Sequence, residues 1–430
     1  MDVLRIMIGP VLKRPVFFLP AVAAAAIAGV LAVPPLPALA QQGQPQAGAT
    51  DPADRARDLL AGAQAKLAFS LIEKIGSGPA QQATVSPASV ASALGLVSNG
   101  ADPKMKAAIA KALGFPADRA DSLAVLEDVR ARLAKGGESF AFADRIVFSP
   151  STPPSKFIQA GFDKYNFPYE IADLGNPEEA ARIDGWVKEV TKGAIPEILG
   201  GPVSKASFAA LNALHFKSRW KTPFDPKLTA TAPFTGLDGK SADVQMMRLG
   251  KATRAFRQER VGERKSERNF VAIDLPFVDE RFSLVIVTTR EKPAAAKDFT
   301  AVASWLGGAG FALHSGDLAL PRFAASARED LLPVLDGLGL GEARKSATAL
   351  LGFGSDITLS QVTQRAMIEV DEEGAEAAAA TAAIGSRSLE ADDAIHMVVD
   401  KPFMYALRDK TTGMILVAGY VGTPPKGKTA

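Results

Sequence analysis

The chain has 430 residues, 47% of them hydrophobic and 22% charged, with a net charge of +2. This is the make-up of an ordinary globular protein with ample core material and no electrostatic footprint for nucleic acid. It contains no cysteine, which excludes disulfides, thiolate metal sites and a cysteine nucleophile, and its three histidines (His215, His314, His396) lack metal-ligand spacing.

Arg5, Lys13 and Arg14 precede the apolar run PVFFLPAVAAAAIAGVLAVPPLPALAQQ, which contains the cleavage-like triplet Ala38-Leu39-Ala40. Residues 1–40 are therefore read as a secretory signal. The run is long enough to span a membrane, but Pro20, Pro34, Pro35 and Pro37 break up any clean spanning helix. Residues 41–53, QQGQPQAGATDPA, have the composition of a flexible linker. No comparable break occurs between 54 and 424, so one large domain is expected, with 425–430 as a tail. The mature chain is expected to be secreted or periplasmic and monomeric, with no nucleic-acid partner and no membrane contact after signal removal.

Leu60, Leu67 and Leu71 share one helix face in DRARDLLAGAQAKLAFSLIEKI. SPASVASALGLVSNGA (86–101) begins with a Ser-Pro helix start and continues in small apolar residues, which predicts a buried helix. NPEEAARIDGWVKEVTKGAIPEIL (176–199) offers Asn176 as a cap, Pro177 in the first turn and Gly193 near the stop. The second half turns to strands. RFSLVIVTT (281–289) is apolar enough to be covered on both faces. HMVVDKPFMYALRD and TGMILVAGYV, separated by a short polar turn, predict a hairpin. Helices in front and strands behind give an α+β fold class with large mixed sheets.

No nucleophile elbow, zinc helix, phosphate loop or dinucleotide fingerprint occurs, so no enzyme, metal or cofactor is expected. Residues 248–269, RLGKATRAFRQERVGERKSERN, hold eight basic side chains, and clustered guanidinium groups suit polyanions. Glu259, Glu263 and Glu267 interrupt them at near-helical spacing that favours local ion pairs, so a solvated face is the reading preferred.

One segment stands apart. In VDEEGAEAAAATAAIGSRSLEADDA (370–394), seven of the nine residues from Ala375 to Ala383 are alanine, the best helix former. Yet strand-like runs flank it on both sides. No proline occurs from Asp371 to Lys401, which leaves the stretch free to pair on both edges. Ala375, Ala377, Ala379 and Thr381 are all small, as one buried strand face requires, and Gly374 supplies a permissive pivot before them. Read locally, an exposed alanine helix or a tether remains the alternative.

IEVDEEGAEAAAAT (368–381) resembles the hinge of the serpins, the start of their reactive-centre loop. SPASVASALGLVSNGA is similar to the family's SP-x-S helix, and LNALHFKSRWKTPFD (211–225) to its N-x-x-x-F-K-x-x-W-x-x-P-F strand and turn. DKPFMYALRDKTTGMILVAGYV (400–421) resembles its C-terminal hairpin, with LALPRF and VQMM in family order between them. The likeness covers roughly residues 55–424 and suggests a serpin of the bacterial, secreted kind.

The resemblance implies a serpin fold of three β-sheets and about nine helices with an exposed reactive-centre loop. It implies a suicide-type inhibitor of serine endopeptidases, which traps its target as an acyl-enzyme while the cleaved loop enters the main sheet. A non-inhibitory serpin acting as carrier or scaffold is the alternative. Small, neutral Ala375 favours the inhibitor, because a charged or bulky side chain there would stall entry.

Carried over by likeness, the hinge comprises Glu372, Glu373, Gly374, Ala375, Glu376, Ala377, Ala378, Ala379, Ala380 and Thr381. Ser86, Ser89 and Asn212 match the polar cluster beneath the parting strands, and Trp220 the tryptophan where insertion begins. The chain departs from many relatives at Gln364, where they carry histidine; glutamine keeps a donor and an acceptor. Counting as in the family places the reactive bond at Ser388–Leu389, which suits elastase- or subtilisin-like proteases. Arg387–Ser388 instead suits trypsin-like ones.

Overall fold

The apolar stripe of the first helix decides its orientation. In α1 (Pro52–Gly76), Leu60, Leu67 and Leu71 are buried in the main core. Strand β1 (Gln82–Val85) leads into α2 (Pro87–Ser98), which starts where Ser86 Oγ accepts the Ser89 amide at 3.1 Å and Pro87 fixes the first turn. Every residue of α2 is buried, and it packs against strands of both sheets. Its small side chains let the sheets close on it. α3 (Pro103–Ala112), β2 (Phe140–Phe148), α4 (Lys156–Lys164) and β3 (Tyr169–Ile171) come next. α5 (Pro177–Val190) is capped by Asn176, whose Oδ1 accepts the Glu178 amide at 2.8 Å, and the chain turns at Gly193 with φ +86°.

The computed structural model describes residues 52–77, 81–115, 139–164, 167–203, 208–262, 267–355, 357–375 and 394–425. These fall within one unit, 50–430. The expected signal, most of the linker and tail, hinge residues Glu376, Ala377, Ala378, Ala379, Ala380 and Thr381, and reactive-bond residues Arg387, Ser388 and Leu389 lie outside the described residues. α1 begins two residues inside the expected linker.

The remaining strands are β4 (Phe208–Phe216), β5 (Ser218–Arg219), β6 (Ala230–Thr235), β7 (Ser241–Val261), β8 (Arg268–Pro276), β9 (Phe282–Thr289), β10 (Ala312–Pro321) and β11 (Phe323–Asp330). After short helices α6 (Leu332–Leu335) and α7 (Gly341–Arg344) come β12 (Gln361–Val370), β13 (Gly374–Ala375), β14 (Ile395–Val398), β15 (Phe403–Asp409) and β16 (Ile415–Val421). One sheet runs β1-β16-β15-β9-β8-β7-β10-β14, with β6 also paired to β7. The other runs β3-β2-β4-β12-β13-β5, with β11 on the far side of β12. β9 is buried along its whole length, and β15 and β16 form the expected antiparallel hairpin.

Two expectations are corrected here. The strands form two hydrogen-bonded sheets instead of three, because the 21-residue β7 pairs with β6 at one end, with β10 along its middle and with β8 at the other end. Seven α-helices are present among the described residues, where about nine were expected. Where described, the basic stretch belongs to the strands β7 and β8, not to a helix-spaced face. Leu249 and Phe256 of β7 point into the core, and sheet pairing overrides local charge spacing. Arg254 donates to Gly316 O at 3.0 Å, Arg257 lies 4.3 Å over the Trp305 ring, and Arg268 pairs with Asp298 at 2.8 Å. Arg264 and Lys265 lie outside the described residues.

The hairpin turn is closed by a buried carboxylate. Asp409 accepts from the Thr411 amide at 2.9 Å, the Thr412 hydroxyl at 2.8 Å and the Arg281 guanidinium at 2.7 Å. Asp409→Ala leaves Arg281 without this partner and is expected to lower unfolding stability by about 3 kcal/mol in urea titrations. Asp409→Asn, which keeps the turn's acceptors, is expected to lose less.

Candidate functional site

β4 and β12 lie side by side and parallel at the centre of the seven-stranded sheet, paired from Gln361↔Ala209 to Ala366↔Leu214. Beyond that point a third strand stands between β12 and the continuation of β4. β13 pairs antiparallel on both edges, Ala375 with Val370 on one side and with Ser218 on the other, and Gly374 with Arg219. The seam is closed along most of its length and wedged at one end by two residues. Those two belong to the sequence segment expected to be a hinge.

Local chemistry fixes the wedge. Asp371 Oδ1 accepts the amides of Glu373 and Gly374 at 2.9 and 3.2 Å, reversing the chain out of β12 in an Asx turn. Gly374 is required by proximity: a Cβ there would stand 2.1 Å from Ser218 O. Its role differs from the expected pivot, since its φ is not in the left-handed region and what it permits is close approach of two backbones. Ala375 is buried beside it. Trp220 braces the turn from outside, donating its indole N–H to Asp371 O at 2.8 Å and its amide to Glu373 O at 2.8 Å. The indole stacks on Phe277 with ring centroids 4.5 Å apart.

Glu372 is an anchor. Its side chain is buried and takes a two-pronged hydrogen bond from Arg322, Nε to Oε2 at 2.8 Å and Nη2 to Oε1 at 2.6 Å, with a further bond from the Thr229 hydroxyl. Burial pushes the carboxyl pKa up, but the hydrogen bonds from Arg322 and Thr229 outweigh it and leave the group below its usual range. Its backbone carbonyl accepts the Phe224 amide at 2.8 Å.

Beneath the closed seam lies a row of polar side chains on the α2 side. Register places Asp144 of β2 beside Asn212 of β4, and Asn212 beside Gln364 of β12. Gln364 Oε1 accepts the Ser86 amide at 2.8 Å, Ser89 Oγ donates to Ser86 Oγ at 2.6 Å, and Ser92 Oγ donates to Asp144 at 2.7 Å. The cluster is only half joined. Both polar atoms of Asn212 and Nε2 of Gln364 are buried with no protein partner.

Sequence reasoning missed Arg322, Thr229, Asp371, Asp144 and Ser92. The first two come from separate strands and loops with no local signal. Asp371 sits in an Asp-x-x-Gly turn pattern that was readable. Asp144 is a lone acid inside the apolar strand FAFADRIVF, a buried-polar signal that could have been flagged.

Comparison with known proteins agrees with this arrangement. Residues 62–424 match the family described as Serpin (serine protease inhibitor). The chain belongs to the serpin family. It is similar to Serpin-ZXA of Oryza sativa subsp. japonica, at 31% identity over 81% of this chain and 91% of that one. It is also similar to the leukocyte elastase inhibitor of Sus scrofa, at 29% identity over 85% and 99% of the two chains. Among solved structures, the thermophilic serpin tengpin in its native state superposes with a TM-score of 0.69 at 21% identity, over 84% of this chain and 94% of that one. At that identity the likeness is one of fold.

The serpin's Glu372–Arg322 pair has a definite pH signature. A carboxyl held below its ordinary value of 4.5 contributes stability that is present above that pH and is lost as pH falls through the folded-state value. In Arg322→Met the carboxylate stays buried without its cation, which raises its pKa. The variant is expected to melt well below the parent at pH 7, with the gap closing as pH falls below about 4. Melting curves between pH 3 and 7 check this; a pH-independent gap would contradict it.

Proposed function

We propose that this serpin inhibits serine endopeptidases as a suicide substrate. The target cleaves the reactive-centre loop and forms an acyl-enzyme, and the loop then enters the seam between β4 and β12 as a new central strand. One observation carries the reading: Gly374 and Ala375 already stand in that seam, paired on both edges.

The register of this wedge supports it further. Continuing the pairing of Ala375 with Val370 and Ser218 by two residues per step keeps Ala377, Ala379 and Thr381 on the core face. The third step brings Thr381 level with both Gln364 and Asn212. The one inward hydroxyl of the segment would thus arrive at the buried atoms that lack partners in the closed sheet. Entry also replaces one parallel ladder by two antiparallel ones, which pair slightly better. About a dozen residues gaining bonds at a net ~0.5–1.5 kcal/mol each amount to on the order of 10 kcal/mol. Alanine's helical preference, a few tenths of a kcal/mol per residue over most residue types, is smaller than the gain per bond and does not outweigh it.

The bond cut is Arg387–Ser388 for a trypsin-like target or Ser388–Leu389 for an elastase- or subtilisin-like one. The N-terminal segment fits a secreted or periplasmic inhibitor working as a monomer. Among the described residues, no helix is long and apolar enough to cross a membrane.

Incubation with a panel of serine proteases is expected to give an SDS-resistant complex, and mass spectrometry of the released fragment identifies the bond. The loop-cleaved chain is expected to melt far above the intact one. Turnover by every protease, with no rise in melting temperature, would favour the carrier reading. Thr381→Val is expected to leave the intact chain's melting temperature unchanged and to cost the cleaved form about 1–2 kcal/mol, read as a smaller gain on cleavage.

A further inference from the structure

Residues 191–203, which follow α5, run over the outer face of the seven-stranded sheet, on the side opposite α2. Asp184 of α5 accepts the amides of Ile198 and Leu199 at 2.7 Å each and that of Gly200 at 3.1 Å, which pegs this stretch to the helix. Ile195, Ile198 and Leu199 belong to a small core shared with Ala209, Leu211 and Ala213 of β4. Glu197 reaches past β12 to β11, where Arg328 Nη1 donates to its carboxylate at 3.0 Å. The guanidinium also lies against Gly200, where a Cβ would stand 1.5 Å from Nη1. β4 and β11 are on opposite sides of the seam, so a segment seated on β4 is clasped to a strand beyond β12.

We infer that residues 191–203 form a strap across the insertion seam, and that the Glu197–Arg328 pair is a clasp which must open for a strand to enter. The inference rests on the insertion reading above. Admitting a strand moves β12 and β11 away from β4 by about one strand spacing, ~4.8 Å. The strap is held to β4 and α5, so a 3.0 Å contact to β11 cannot survive that movement. The clasp therefore adds to the barrier for entry without contributing to the inserted state, and Glu197 and Arg328 act as positioning residues that slow insertion. Their side chains are 46% and 40% exposed, which keeps the effect modest.

The test measures uptake of a synthetic peptide of residues 375–385, AEAAAATAAIG, by the intact full chain, monitored on native gels. Glu197→Gln and Arg328→Met are each expected to take up the peptide about two- to fivefold faster than the parent. The charge-swapped double variant E197R/R328E is expected to return toward the parent rate. Glu342→Gln, which breaks a more exposed pair with Lys345 away from the seam, is expected to leave the rate unchanged. Uptake by the parent with unchanged rates in both single variants would overturn the clasp while leaving insertion intact. No uptake by any of the proteins would overturn insertion and the clasp together.

Discussion

The parallel contact between β4 and β12 is the constraint on which the rest of the molecule depends. These strands pair directly from Gln361↔Ala209 to Ala366↔Leu214, and the Ser360 hydroxyl donates to Phe208 O at 2.9 Å at the start of the pairing. Parallel pairs are slightly weaker per residue than antiparallel ones, and this one covers the buried amide of Asn212 and the Nε2 of Gln364, which find no protein partner. Such groups are costly in a low-dielectric interior. The closed seam is satisfied in its backbone and unsatisfied beneath it.

At one end of that seam the chain is held by a few identifiable contacts. Glu372 is locked by Arg322 and Thr229, and Trp220 grips the carbonyls on either side of it. The chain is released only at Gly374, where the absence of a side chain lets two backbones meet. Under the proposed insertion, a strand entering from this point would take one register, since the alternation set at Ala375 decides which face each later residue presents.

Much of this was legible in the residues themselves. The leucine stripe of α1, the Ser-Pro start of α2, the Asn-Pro cap of α5 and the apolar run of β9 each carry a local cause, and each formed the expected element. The sheet partition was not legible. Nothing in 248–269 announces a strand long enough to serve two sets of neighbours, and its acid-base spacing suits a helix equally well. The anchors of the wedge were hidden for a related reason. Arg322 and Thr229 lie 50 and 143 residues from Glu372, and pairs at such separation have no periodicity to betray them. The cluster around Asn212 was named from likeness, but its incomplete bonding is a matter of geometry that only coordinates reveal.

The same register bears on the charged residue that stands within the expected hinge. Under the proposed insertion, alternation from Ala375 would send Glu376 to the outer face, level with Lys217 on one flank and Glu369 on the other. Lys217 is exposed there, so the carboxylate would meet a cation in solvent and not the core. Moved one position either way, the same glutamate would face the apolar side beneath the sheet, at a cost of several kcal/mol that strand pairing at that point could not offset. The order Gly-Ala-Glu-Ala thus suits a two-residue period at the end of the seam where Ala375 is buried beneath the sheet and Lys217 is exposed above it.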